Sequence, residues 1–140
     1  MADYVPYLKL TFDGAQKMLA AGIAKATAMG QPQCITIVDD GGHLLAFARM
    51  DGARVLSIDS SRKKAMTAAS NRVPTGGIAA ANELKLAIAT EGKMTNLMGG
   101  LPIVVDGHVI GGIGVGSGTG EQDLEVSKAA LAALPGAKTF

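Results

Sequence analysis

With 13 basic and 12 acidic side chains among 140 residues, a formal charge of +1, the chain lacks the basic excess of a nucleic-acid binder. Hydrophobic residues make up 48% and aromatics 4%, with no tryptophan, so one domain of this length builds its core from Ala, Ile, Leu, Val and Met. A single cysteine excludes an internal disulfide, and no run approaches the ~18 apolar residues of a membrane span.

Residues 1–10 read as a tail and 11–140 as one domain. The N-terminus carries Asp3, Lys9 and Asp13 and lacks a signal peptide's apolar run, which with the lone cysteine predicts a cytoplasmic protein. Thr11 is placed to cap a helix whose apolar positions, Ala15, Met18, Leu19, Gly22, Ile23 and Ala26, fall on one stripe. Gly30 and Pro32 supply its stop. In QCITIVDDGGHLLAFARMDGA, two apolar or β-branched runs flank Asp-Gly-Gly and predict a hairpin. Cys34, in the first strand, reads as a small buried hydrophobe, because no Cys-x-x-Cys partner accompanies it.

SIDSSRKKAMTAAS is helical by composition, with Ser57 or Ser60 as candidate caps. Arg62-Lys63-Lys64 within it lacks interleaved aromatics and reads first as a solvated helix face. Pro74, Gly76 and Gly77 separate it from a second helical piece, IAAANELKLAIA. A second hairpin is expected in GGLPIVVDGHVIGGIGV, turning at Asp106-Gly107 in type I′ geometry. The closing helix, GEQDLEVSKAALAAL, stops at Pro135 and Gly136. Two hairpins with helices around them predict an antiparallel α+β sandwich.

GGIGVGSGTGEQD, residues 111–123, invites a nucleotide reading, but its spacing does not fit. Gly112-x-Gly114 meets Ser117 and Gly114-x-Gly116 meets Thr119, so the dinucleotide pattern fails, and no Walker lysine follows. On a strand, Gly112, Gly114 and Gly116 share one face while Ile113 and Val115 take the other. That bare face calls for a close neighbour, either a packed backbone or a ligand. Thr119-Gly-Glu-Gln122 fits a capping box, and Glu121 and Asp123 suit the positive end of a helix.

In IVDDGGHLLAFARMDGA, SIDSSRKKAMTAAS and GGLPIVVDGHVIGGIGVGSGTGEQD, taken in that order, the chain resembles the GlcG/HbpS family, which also includes the C-terminal domain of PduO-type proteins. The resemblance implies a five-stranded antiparallel sheet flanked by helices, a profilin-like α/β/α sandwich. It implies homo-oligomers, an association with small-molecule catabolic operons, and haem as a candidate cofactor, since some relatives bind it. Two departures stand out: Ser61 replaces a small apolar residue, and Gly116 is inserted before Ser117-Gly118.

Candidate chemistry follows from side-chain type. An Arg fork suits a carboxylate, so Arg49 with Asp51 is either a ligand clamp or a local pair holding the turn. Lys64 lies mid-helix within reach of Ser57, Ser60, Ser61 and Thr67, and a lysine on such a face could act as a base or form a Schiff base. His43 and His108, the only histidines, each open a return strand; turns at one sheet end would make them candidate haem axial ligands. Met50, Met94 and Met98 are further candidates, although Met more often fills gaps. No zinc-type spacing is present, and no metal is expected.

Two functions are consistent with these residues. One is a binding module for haem or a related small molecule, using Arg49, Asp51, Ser57, Lys64, Thr67 and the glycine face of Gly112, Gly114 and Gly116. The other is a small isomerase, tautomerase or hydrolytic deaminase for an organic acid, with Arg49 binding carboxylate and Lys64 or His43 moving protons.

Overall fold

The computed structural model describes residues 1–140. Its elements, in order, are α1 (Phe12–Met29), β1 (Cys34–Asp39), β2 (Leu44–Arg49), α2 (Ser57–Asn71), α3 (Ala80–Ala89), β3 (Gly100–Val105), β4 (His108–Gly116) and α4 (Gly120–Ala132). The strands form one antiparallel sheet in the order β2-β1-β4-β3. The two hairpins meet through β1 and β4, with Cys34 opposite Gly116 and Asp39 opposite Gly111.

Helices cover both faces. On one, α1 and α4 pack over Met18, Ile35, Ile37, Ile113, Val115, Val126 and Leu131, all but one of them fully buried. On the other, α2 lies alone over Val38 and the glycine positions of β4, contributing Ala65 and Ala69. The odd residues of β1 and β4 thus supply bulk to one core, while the even residues leave the other thin. The layers are α/β/α, as expected, but there are four strands rather than five. Each hairpin yields two strands; outside them the backbone pairs only as an isolated bridge between Val105 and Ala137.

Several ends form as their residues dictate. Thr11 Oγ1 accepts from Gly14 N at 3.0 Å, and Gly30 closes α1 with φ 68°. Asp106 and Gly107 have φ 50° and 76°, both positive as a type I′ turn requires. Thr119 and Gln122 make the reciprocal capping box of α4. Neither Ser57 nor Ser60 caps α2. The helix starts after Leu56, and the N–H groups of Ser57, Ile58 and Ser60 donate instead to carbonyls of Arg54, Val55 and Leu56. The short α3 buries none of its residues and leaves Leu84 and Ile88 about 70% exposed. No helix is long and apolar enough to cross a membrane.

Candidate functional site

The bare face of β4 is occupied by α2. The helix runs antiparallel to the strand, so that a Cβ on Gly112 would meet Ala65 O, one on Gly114 would meet Ser61 O, and one on Gly116 would lie 3.0 Å from Ser60 Oγ. One helical turn rises about 5.4 Å and two strand residues about 6.8 Å, so successive glycines meet successive turns. Gly112 and Gly114 therefore cannot also hold a ligand, which corrects the ligand reading of that face. Ser61, fully buried, uses its hydroxyl to fasten the contact, with its Oγ 2.8 Å from Thr36 Oγ1.

This close approach brings Lys64 to the far strand ends. Its Nζ donates to Val115 O at 2.8 Å and to Asp123 Oδ2 at 2.9 Å, and both side chains are at least 95% buried. Asp123 Oδ1 accepts from Gly118 N at 3.0 Å, so this aspartate serves its helix end and the lysine together. Gly99 is bare for the same reason, since a Cβ there would lie 2.8 Å from Asp123 Cβ and 3.1 Å from Lys64 Nζ. The pair opens onto a cavity of about 240 Å³ with Arg54, Ser57, Ser60 and Ser117 among its walls. Nearby, the amide of the fully buried Gln33 has no partner on either atom.

Both hairpin turns fall at the opposite end of the sheet, as the β1–β4 register requires. His43 is 80% exposed there, and its Nδ1 lies 3.1 Å from Asp39 Oδ1. Burial raises the Asp39 carboxyl, but N–H donation from His43 and Gly41, with the charge and ring N–H of His43, outweighs it and holds the pKa below the ordinary value. His108 lines a cavity of about 720 Å³ whose apolar walls include Leu8, Val104 and Val109, with Arg72 and Lys138 also on it. Asp40 and Asp106 share that rim. A separate cavity of about 450 Å³ lies beside it, between α2 and the Thr90–Met94 segment, and takes Met66, Thr67 and Met94.

The predicted site residues therefore separate. Ser57 and Lys64 share the small cavity with Met98; Thr67 and Met94 line another; Met50 packs against the core. Thr67 is buried, its Oγ1 accepting from Thr95 N at 3.0 Å. Arg49 and Asp51 are exposed, and neither forms an ion pair. Arg54 lines the cavity with Lys64, and Arg49 does not. Cys34 is buried, and desolvation raises its thiol pKa while the charge of Arg49 lowers it in part. The sequence reading missed Arg54 and Asp123 as neighbours of Lys64. Asp123 carried a signal, an acidic residue beyond the glycine strand, but its pairing spans 59 positions.

A four-stranded antiparallel sheet between one helix and a pair, with an internal lysine–aspartate bridge, defines a small α/β/α sandwich protein. The family model for haem degrading protein HbpS-like matches residues 10–132, and the chain belongs to this family. It is 43% identical to Protein GlcG of Escherichia coli (strain K12) over 102 residues, 72% of this chain and 76% of that protein. Among solved structures, Klebsiella pneumoniae protein ORFY matches with a TM-score of 0.90 at 34% identity, over 96% of each chain. A PduOC:heme complex matches with a TM-score of 0.86 at 28% identity, over 95% of this chain and 99% of that one.

Proposed function

We propose that the protein binds haem, and that His108 holds the iron from the larger cavity at the hairpin end. The observation that carries this reading is the composition of that cavity. It joins an imidazole to apolar walls, with two cations suited to propionates beside the rim carboxylates Asp40 and Asp106. His43 lacks such a wall and has a carboxylate partner. Haem would supply an iron centre for ligand and electron chemistry. The chain would contribute the imidazole, the apolar walls that exclude water, and Arg72 and Lys138 as propionate anchors.

The family membership and the haem complex of the similar PduOC chain support this assignment. A cytoplasmic homo-oligomer associated with a small-molecule catabolic pathway completes the reading. Leu84 and Ile88 on the unpartnered α3, with exposed Val55 and Leu56, would lie between subunits. Turnover of an organic acid through Arg49 and Lys64 has less support, because Arg49 does not line the cavity that Lys64 lines.

Haemin titrated into purified protein should give a saturable, sharpened Soret band. A featureless titration that never saturates overturns the haem assignment. Light scattering on the eluted protein tests the assembly, and a monomer at all concentrations overturns that part.

A further inference from the structure

We infer that the cavity beside Lys64 is a separate binding site for a short-chain monocarboxylate, held between Arg54 and Lys64 at the sheet end opposite His108. Its charges are two cations, Arg54 and Lys64, and one carboxylate, Asp123, leaving a net +1. The carboxylate is already engaged, Oδ1 by Gly118 N and Oδ2 by Lys64 Nζ. Lys64 has three N–H donors and spends two, on Val115 O and Asp123. Arg54 forms no ion pair, and the hydroxyls of Ser57 and Ser60 make no hydrogen bond to the protein. The groups left without partners are therefore mostly donors, and they face one small space.

Such a site selects an anion that can accept from several donors at once. Asp123 limits the charge it tolerates, because a dianion would face that carboxylate at short range, whereas a monoanion balances the net +1. The volume, about 240 Å³, suits a ligand of a few carbons. Leu97 and Met98, both exposed, form the apolar side and suit a short hydrocarbon chain.

The backbone around the cavity is also constrained. Ser117, a non-glycine residue at φ 105°, holds an unfavourable conformation, with its Oγ accepting from Arg54 N at 2.8 Å. That conformation ties the main chain of Arg54 to the end of β4 and leaves the guanidinium free for a ligand.

The test is calorimetric titration with sodium butyrate, its neutral isostere butyramide and inorganic phosphate, using the whole chain. Butyrate should saturate at one site per chain, with butyramide and phosphate each at least tenfold weaker. Arg54→Gln should weaken butyrate at least fivefold, and Ser60→Ala should weaken it measurably. Arg54 contributes only main-chain atoms to the fold's hydrogen bonds, so the substitution leaves the fold intact. His108→Ala should leave butyrate binding unchanged. Lack of saturation, equal affinity for butyramide, tighter binding of phosphate, or an unaffected Arg54→Gln variant would each overturn the inference.

Discussion

Substituting alanine at Gly114 isolates the contact on which the α2 side of the fold depends. A Cβ there would fall on Ser61 O, 2.5 Å from Ala65 N and 2.9 Å from Lys64 Cβ. Carbon–oxygen contacts ordinarily sit at about 3.3–3.6 Å, and backbone atoms cannot rotate aside, so α2 must lift by roughly 1 Å or more. Overpacking of this kind costs about 1–3 kcal/mol. The lift also strains the Lys64 bonds to Val115 and Asp123 and the Thr36–Ser61 contact, taking the expected loss to about 3 kcal/mol or more. With a urea slope of about 1–3 kcal/mol per molar, the unfolding midpoint should fall by about 1–3 M. Gly77→Ala is the control, because Gly77 has no neighbour within 4 Å and no positive φ. It should be neutral or stabilising by about 0.4–1 kcal/mol. A Gly114→Ala midpoint within the error of wild type would refute the packing argument.

Three further predictions follow from single groups. Asp123→Asn or Lys64→Met should each destabilise by about 3–5 kcal/mol, because either leaves a buried partner uncompensated. The double variant Lys64→Met/Asp123→Leu should cost less than the two single losses together, and simple additivity in denaturant melts would contradict a direct pair. Cys34 should react with iodoacetamide far more slowly in the native protein than in urea, since burial raises its pKa; equal rates would contradict that burial. The lowered pKa of Asp39 contributes stability that is complete above the unfolded value near 3.9 and is lost as pH falls through the folded value. Asp39→Asn should therefore flatten the acid side of the stability profile, and an unchanged slope below about pH 4 would contradict it.

Local signals carried much of the architecture. Thr11, Gly30, the Asp106-Gly107 turn and the Thr119–Gln122 box each bond within a few residues, so their geometry is written in adjacent positions. Alternation in β4 exposed the bare face, but its occupant depended on how α2 crosses the sheet. The same limit hid Arg54 from the small cavity and split Thr67 from Lys64, since chain spacing along α2 does not reveal which neighbour closes each turn. Ser57 and Ser60 have the chemistry of caps, yet the preceding turn from Arg54 to Leu56 satisfies the first N–H groups from its own carbonyls. The fifth strand came from resemblance, and only two hairpins are available to form the sheet.

The most direct measurement is haemin binding followed by the Soret band in wild type, His108→Ala and His43→Ala. Both imidazoles lie at the hairpin end, so the comparison separates the cavity-lining residue from its exposed counterpart. Wild type and His43→Ala should titrate alike to saturation, while His108→Ala should lose the sharpened band or shift it. A saturable band untouched by His108→Ala, or one abolished by His43→Ala alone, would contradict the assignment.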